Sequence, residues 1–521
     1  MAAEETVERF GLHQAFWHTA SEYANPYLDV QATAEIVRPD GARAEIPLFW
    51  NGEDRWGLRL SPDAEGPWRY TVRSGDGALD GQTGAFVCVA SDRRGGLQAM
   101  EHYPSHLARQ DGTPVWFLGD TNWRAFATDA PSRLDRDSVM HYVDVRAEQG
   151  FNYIHTDVMG GVTVDGQQKV FLDFATERLN PAFFQEMDVR VAYMNARGIT
   201  SGIVLAWGTG VESWEAFASQ EARLRYARYI VARYSAYDVA FIVAGEWDLL
   251  GPDTQDVYRE IGREVQCWDP HDRLRGIHPC RPRTVQEFAT EPWMSFGDYQ
   301  QQYRAPKERE ATPAERNSLR NHLLKPRVHG RPVVNAEYAY YQRSMAGAPH
   351  NYVQHLGIDG VDKEHSHTRD SFRRVSWAVA MAGAYMVTGF GSTYFGGWRE
   401  RGPFDVDAPK NDDGEADLVR LREFFSSLEW WRLEVMDGLV RTDDGYAWCL
   451  AEIGHTYVIH SEATARLRFS PDGDPDVRYR LRRYDPRTGA WTDLADLTGP
   501  DMVEIALPDA QDWVLLAERR G

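Results

Sequence analysis

The sequence predicts a multidomain protein in which a central (β/α)8 TIM barrel is flanked by an N-terminal and a C-terminal β-sandwich. At 521 residues the chain is too long for one ordinary hydrophobic core. From about residue 105 to about residue 430, strand and helix patterns alternate through eight units, as in a parallel barrel. Short alternating strands separated by turn residues occupy both ends and are typical of β-sandwiches. We expect domain boundaries at 1–95, 96–428 and 429–521.

The N-terminal region shows the period of two that a half-buried strand requires. Its strand-like runs are separated by turn sequences rich in Gly, Asp and Pro. They lie at 29–38, 55–61, 67–74 and 85–91.

The central region contains apolar runs that each precede a helical pattern. A helix is expected over about 134–149, a second begins after Asn180 as N-cap with Pro181 in its first turn, and a third spans 215–236. The eight predicted barrel strands are 113–119, 151–157, 199–207, 239–244, 274–278, 293–299, 332–337 and 384–391.

The C-terminal region returns to strand patterns with alternating exposure. Its runs at 446–453, 455–462, 478–485 and 512–518 are separated by turn sequences. We expect a small β-sandwich packed against the barrel.

Composition excludes several classes of partner. The formal net charge of −21 disfavours nucleic acid and anionic membranes, which the surface would repel. No apolar run is long enough to span a bilayer, and the acidic N-terminus has no secretory signal. The four cysteines lack zinc-type spacing and suit free thiols in the cytoplasm. A homo-oligomer remains possible.

Two glutamates end predicted strands of the barrel. Glu246 follows the fourth strand and Glu337 follows the seventh. Active sites of such barrels lie at the carboxyl ends of the strands, and a closed barrel places these two ends opposite each other. Two carboxylates held about 5 to 5.5 Å apart can perform retaining glycoside hydrolysis. The alternative, in which each glutamate forms a salt bridge at the rim, explains one such residue better than it explains two.

The neighbours of these glutamates indicate their separate roles. Trp247 can desolvate Glu246 and raise its pKa, as a general acid requires. Asn335, with Tyr299 or His278 from adjacent strands, can donate hydrogen bonds that keep Glu337 ionised as the nucleophile.

The motifs resemble one family of barrel glycosidases. DGTPVWFLGDTNWRAF (111–126) resembles the strand-one signature of the apiosidase-like family, usually DGxPFxWLGDTxW. The segments 228–248 and 331–341 resemble that family's fourth-strand and seventh-strand segments. The flanking regions resemble the β-sandwich that often precedes such barrels and the small β domain of the collagen-binding type that often follows.

This resemblance implies a retaining clan with the acid/base on strand four and the nucleophile on strand seven. Two residues depart from the pattern. The wider clan often has Asn where this chain has Gly245, and the apiosidase-like relatives frequently have Asp where this chain has Glu246.

Other polar and aromatic residues near predicted strand ends are candidate sugar ligands, each with a packing role as the alternative. Asp120 could equally cap a turn, and Asp248 could orient Glu246 or lie on the surface. The candidates for substrate binding are Asp120, Asn122, Trp123, His155, Asp157, Trp207, Trp247, His278, Tyr299, Asn335 and Trp398, with Gln300 and Gln301 as weaker ones.

Metal chemistry is the main alternative mechanism. His365 and His367 form an HxH pair of the kind that some metal-dependent barrel hydrolases use. Those enzymes carry it at the end of the first strand, whereas here it follows the seventh, so no metal ligand is predicted.

We therefore expect a retaining glycoside hydrolase that needs no cofactor. Its acid/base would be Glu246 and its nucleophile Glu337, and it would act, as an exo-enzyme, on small glycosides or oligosaccharides. The alternatives are a non-catalytic carbohydrate-binding barrel and a metal-dependent barrel hydrolase.

Overall fold

Eight parallel strands arranged around one axis form the centre of the molecule, and helices surround them. The computed structural model describes residues 5–127, 134–159, 170–210, 213–251, 254–280, 287–300, 312–341, 366–390, 393, 404–407, 412–471 and 474–520. Strand-rich regions lie on both sides of this barrel in the sequence, which confirms the predicted fold class.

The N-terminal region consists of two antiparallel-rich sheets and one short helix. Its elements are β1 (Thr6–Glu8), β2 (His13–His18), α1 (Pro26–Asp29), β3 (Ala32–Val37), β4 (Arg43–Pro47), β5 (Phe49–Trp50), β6 (Arg55–Leu60), β7 (Gly66–Ser74) and β8 (Thr83–Val89). One sheet has the order β1-β8-β7-β3-β4 and the other β2-β6-β5. Burial alternates strictly along β3, because one face of the strand lies against the core.

A small antiparallel sheet connects this region to the barrel. It comprises β9 (Leu97–Ala99), β10 (Leu107–Arg109) and β11 (Pro114–Val115). The predicted first barrel strand, 113–119, was wrong in its extent, because residues 114–115 pair antiparallel with β10. The chain then passes Trp116, whose indole stacks on Phe425 with the ring centroids 4.3 Å apart, and the barrel strand starts at Leu118.

The barrel region alternates strands with α-helices. In chain order its elements are β12 (Leu118–Thr121), α2 (Arg136–Glu148), β13 (Tyr153–Asp157), β14 (Phe171–Asp173), β15 (Arg178–Leu179), α3 (Pro181–Ala196), β16 (Thr200–Val204), α4 (Gln220–Tyr234), β17 (Val239–Ile242), α5 (Gln255–Trp268), β18 (Leu274–Gly276), β19 (Gly297–Tyr299), α6 (Pro313–Leu324), β20 (Val333–Asn335), β21 (Tyr340–Tyr341), β22 (Ser366–His367), α7 (Arg369–Ala380), β23 (Tyr385–Phe390) and α8 (Asp412–Ser426).

The barrel strands follow the order β18-β17-β16-β13-β12-β23-β20-β19, and each paired neighbour is parallel. Ser295 joins the two ends of this series. Its N–H donates to the Arg275 carbonyl at 2.9 Å, and its hydroxyl accepts from the Arg275 N–H at 2.6 Å. All eight predicted barrel strands are present, most of them shorter than expected.

Local signals explain where the helices begin and end. Asp135 caps α2 by accepting a hydrogen bond from the Ser138 N–H at 2.9 Å. Pro181 stands at the start of α3, but Asn180 makes no side-chain capping bond, contrary to expectation. Gly198, with φ of +75°, ends that helix in the left-handed conformation that glycine adopts without strain.

The C-terminal region forms a second pair of sheets. Its strands are β24 (Glu434–Val435), β25 (Val440–Arg441), β26 (Tyr446–Glu452), β27 (Thr456–Glu462), β28 (Arg466–Phe469), β29 (Arg478–Tyr484), β30 (Trp491–Asp493), β31 (Leu497–Thr498), β32 (Val503–Ala506) and β33 (Trp513–Arg519). The larger sheet has the order β24-β26-β27-β33-β29-β30, with β31 beside β29, and the smaller one β25-β28-β32.

Buried arginines attach both flanking regions to the barrel. Asp188 of α3 accepts from Arg59 of β6 at 2.6 Å and from Arg233 of α4 at 2.7 Å. On the other side, Arg373 of α7 pairs with Asp512, and both side chains are almost fully buried. A buried ion pair is costly to break, so these contacts hold the barrel and its neighbours in fixed relation.

Candidate active site

Two glutamates face each other at the carboxyl ends of β17 and β20. Glu246 lies four residues past β17, is half-buried, and has a left-handed backbone (φ +40°, ψ +48°) that is uncommon for a residue other than glycine. Glu337 lies two residues past β20 and is 4% exposed. Backbone strain at a buried polar position is a feature of functional sites.

Gln300 connects the two glutamates. Its amide nitrogen donates to Glu246 Oε1 at 3.3 Å and also to Glu337 Oε2. Because one nitrogen lies at hydrogen-bond distance from both oxygens, these oxygens are about 6 Å apart at most. The two carboxylates are thus close enough to act on one bond.

Trp207 fixes the other oxygen of Glu246. Its indole N–H donates to Glu246 Oε2 at 3.2 Å. The indole lies directly over Gly245, where an added Cβ would be 2.1 Å from Trp207 Cε3. This contact gives a physical reason for glycine before Glu246, where related barrels often have Asn.

His278 lies close to Glu337 and to Asp298. Its Nδ1 is 3.4 Å from Asp298 Oδ1, and its Nε2 is 4.0 Å from Glu337 Oε1. Burial alone would lower the pKa of His278, but Asp298, Glu337 and Glu246 raise it to about 9. The neighbouring carboxylates thus favour the protonated form of His278.

The surroundings of Glu246 also shift its pKa. Burial raises the pKa of Glu246, and the negative charge of Glu337 raises it further. His278 and the hydrogen bonds from Gln300 and Trp207 reduce this effect only in part. The environment therefore raises the pKa of Glu246, as a general acid requires.

Four of the predicted sugar ligands form one aromatic cluster around this pair. The Trp123 ring lies 4.9 Å from Trp207, 4.8 Å from His155 and 5.9 Å from His278, measured between centroids. Trp207 is half-buried, whereas Trp123 is 7% exposed and both histidines are fully buried.

Three further predicted ligands lie on inward-facing or buried positions. Asn335 is the last residue of β20, two residues before Glu337, and it is fully buried. Asn122 and Asp157 are also buried, and each accepts a backbone hydrogen bond two residues ahead, from Arg124 and Met159 respectively. Their part in sugar binding stays a prediction.

Three predicted residues have side chains that face away from the glutamates. The carboxylate of Asp120 is fully buried against α2, where it accepts from Arg146 at 2.5 Å and from Tyr142 at 2.9 Å. Trp247 packs edge-on against Phe288, with centroids 4.9 Å apart, so the indole that contacts Glu246 is Trp207 instead.

Tyr299 also lies on the outer face of its strand. Because successive side chains of a strand point to opposite faces, Tyr299 points away from the face that carries Asp298, and Asp298 faces His278. Burial raises the pKa of the Tyr299 phenol, and Arg331 is the cation beside it. Trp398 and Gln301 lie outside the described residues.

Two residues of the site were missed or underrated in the sequence. Asp298 lies between His155 and His278, with Oδ2 3.9 Å from His155 Nε2. Cys280 follows β18, and burial, with the charges of Glu246 and Asp248 and a hydrogen bond to Glu246, raises the pKa of its thiol to about 12. The signal that could have found Asp298 is its place in the sixth strand, two residues before Gln300.

Asp248 joins the fourth and fifth strand ends. It is 6% exposed, and its Oδ1 accepts from the Cys280 N–H at 2.6 Å. It therefore holds the loop after β18 beside Glu246, which agrees better with the orienting role than with a surface position.

No group of three or more potential metal ligands lies together in the described part of the chain. His365, one half of the HxH pair, lies outside that part. Among the helices that the structure describes, none has the length and apolar character needed to cross a bilayer.

The fold and the paired carboxylates define the class of protein, a glycosidase built on a (β/α)8 barrel. The model of the apiosidase-like catalytic domain matches residues 102–432, which is more than half of the chain. The chain belongs to the apiosidase-like family. A second model, for a domain of unknown function (DUF5060), matches residues 6–75.

Solved structures share the fold at low identity. A candidate glycoside hydrolase from Bacteroides vulgatus ATCC 8482 is 17% identical with a TM-score of 0.76, and the match covers 99% of this chain and 100% of that one. A glycoside hydrolase family 5 structure from the same organism is 17% identical with a TM-score of 0.67, over 82% and 94% of the two chains. A search of curated proteins found no match.

Proposed function

We propose that the chain is a retaining glycoside hydrolase, with Glu246 as acid/base and Glu337 as nucleophile. The observation that carries this proposal is the contact of one Gln300 nitrogen with both carboxylates. A separation of about 6 Å or less between the bonded oxygens agrees with the retaining spacing of about 5 to 5.5 Å. Inverting enzymes need about 6.5 to 9.5 Å to admit a water molecule.

In the first step, a Glu337 oxygen attacks the anomeric carbon while Glu246 gives its proton to the leaving oxygen. The glycosidic bond breaks, and an ester forms between the sugar and Glu337. Gln300 donates to one oxygen of Glu337 and His278 lies 4.0 Å from the other, while the raised pKa of Glu246 keeps its proton available.

In the second step, Glu246 accepts a proton from water, and the resulting hydroxide attacks the anomeric carbon. The ester bond breaks, and Glu337 leaves as a carboxylate. Glu246 has its proton again and the product keeps the anomeric configuration of the substrate.

The proposed substrate is a small glycoside or the end of an oligosaccharide. Glu337 and Gln300 are each 4% exposed, so the reacting bond must enter a recess, as the end of a short chain can. The half-buried Trp207 offers a face for stacking against the sugar. We place the enzyme in the cytoplasm, since all four cysteines are free thiols.

A panel of aryl pyranosides and furanosides assayed with wild type, Glu246→Gln and Glu337→Gln tests the assignment. Both variants should lose at least about 1,000-fold in kcat with the folded state retained. Glu260→Gln, an exposed carboxylate on α5, is the matched control and should be fully active. Sugar binding without turnover by wild type would favour the non-catalytic alternative.

Chemical rescue distinguishes the mechanisms. Azide added to Glu337→Ala should restore turnover and give a glycosyl azide of inverted configuration, because azide replaces the missing nucleophile. Failure of rescue together with an inverted hydrolysis product from wild type would overturn the retaining mechanism. Activity that a chelator abolishes and a divalent metal restores would favour the metal-dependent alternative.

A further inference from the structure

A cleft of about 530 Å³ lies between the N-terminal region and the barrel helices α4 and α5. This interdomain cleft is lined by Tyr27, Trp50 and Trp56 from the N-terminal region and by Tyr229 and Trp268 from the helices. Its volume is within the range of about 300 to 1,000 Å³ that small-molecule sites occupy, and such sites occur often at domain interfaces.

The interdomain cleft is separate from the paired carboxylates. Trp268 is the last residue of α5 and leads into the start of β18, so it lies at the amino end of the barrel strands. Glu246 and Glu337 lie at the opposite, carboxyl end. None of the described site residues lines the cleft.

The two arginines that α4 contributes to the interdomain cleft are paired with acidic residues, and two residues of opposite charge, Arg73 and Glu45, also line it. Arg225 pairs with Glu177 at 2.5 Å and with Glu221 at 2.9 Å. Arg228 pairs with Glu264 at 2.5 Å. Because acidic partners already neutralise these arginines, the cleft suits an uncharged ligand better than an anion.

One aromatic wall of the cleft is held in a fixed orientation. The half-buried Trp268 donates its indole N–H to Glu264 at 2.9 Å, and the Arg228 guanidinium lies 4.9 Å from its ring centroid. A fixed, partly exposed indole is a low-entropy surface for stacking against a flat apolar face.

Polar side chains also line the interdomain cleft. Gln31, Thr33 and Ser74 belong to its lining and offer an amide and two hydroxyl groups. Such groups can donate to or accept from the hydroxyls of a ligand. A neutral ligand with several hydroxyl groups therefore suits this wall.

We infer that the interdomain cleft is a second, non-catalytic site for a neutral saccharide. A sugar ring has an apolar face of C–H groups for Trp268 and hydroxyls for the polar groups of the wall. The inference goes beyond the proposed function, which concerns only the site at Glu246 and Glu337.

The test uses the full chain with Glu246→Gln and Glu337→Gln, so that no probe is hydrolysed. The probes are xylotriose, arabinotriose, cellotriose and maltotriose, with calorimetry for affinity and crystal soaking for location. At least one trisaccharide should occupy the cleft, and Trp268→Ala in this background should weaken it about tenfold. Trp491→Ala, at an exposed tryptophan of the C-terminal region, is the matched control and should leave affinity unchanged.

A second variant covers the case in which Trp268→Ala fails to fold. Thr33→Phe places a larger side chain in the cleft and should reduce binding while Trp268 stays in place. Absence of all four sugars from the cleft, or affinity that neither variant changes, would overturn the inference. Because this test measures binding and not hydrolysis, its result can be interpreted even if the proposed glycosidase mechanism is wrong.

Discussion

Gly245→Ala is predicted to damage both the stability and the activity of the protein. The added Cβ would lie 2.1 Å from Trp207 Cε3 and 2.3 Å from Cζ3. Ordinary van der Waals contact begins at about 3.4 Å or more. The indole must therefore move by more than about 1 Å, or the backbone before Glu246 must shift.

The size of both effects follows from this contact. Overpacking of a buried site costs about 1 to 3 kcal/mol of unfolding free energy. The Trp207 N–H also holds Glu246 Oε2 at 3.2 Å, so moving the indole releases the proposed acid. A misplacement of about 1 Å at a reacting group can lower kcat about 100-fold.

The assay is urea unfolding combined with kinetics on an aryl glycoside that wild type hydrolyses. Gly438→Ala is the matched control, because no atom lies within 4 Å of its Cβ position, and it should change unfolding by no more than about 0.5 kcal/mol. A double-mutant cycle with Trp207→Ala isolates the contact. Once the indole is absent, adding Gly245→Ala should cost little further stability.

The reasoning would be refuted if Gly245→Ala were as stable and active as wild type. It would also be refuted if its stability cost were the same in the Trp207→Ala background, since the clash would then lie elsewhere.

Three further predictions follow from buried polar contacts. Gln300→Leu should lower kcat about 10- to 100-fold with little change in stability, because hydrogen bonds to charged groups contribute about 1.5 to 3 kcal/mol. An unchanged kcat would contradict the role of Gln300 as a hydrogen-bond bridge between the two glutamates. Arg146→Met should lower the free energy of unfolding in urea by about 3 to 5 kcal/mol, because it leaves Asp120 and Glu415 buried without their cation. The control Arg480→Met, at an exposed ion pair, should lower it by no more than about 1 kcal/mol. The raised pKa of His278 contributes stability that is complete below about pH 6.5 and is lost as pH rises through about 9. The free energy of unfolding of His278→Asn, measured in urea, should therefore depend less on pH across this window than that of wild type. An unaltered pH dependence would show that His278 is not charged there.

The barrel could be predicted because its signals are local. Each buried strand is a short apolar run, and each helix has its own period and boundary residues, so the eight units are visible one at a time. The merged first strand shows the limit of this reasoning. Residues 113–119 form one apolar run, but Pro114–Val115 and Leu118–Thr121 belong to different sheets, and only packing around Trp116 separates them.

Side-chain direction at the strand ends was harder to predict. Trp247 is the neighbour of Glu246 in sequence, yet the left-handed backbone at Glu246 turns the chain, and the indole packs toward Phe288. Trp207 lies 39 residues earlier and forms the actual contact. Backbone conformation at a single residue decides this, and no hydrophobic period reports it.

The sequence by itself determined the fold class, the family, and the two strand ends that carry Glu246 and Glu337, because these depend on local periodicity and short motifs. Only the tertiary structure decided what surrounds them. Gln300, His278 and Asp298 come from or follow two other strands, and they meet the glutamates because the barrel brings the ends of its strands together. Their hydrogen bonds, burial and charges exist only in that assembly.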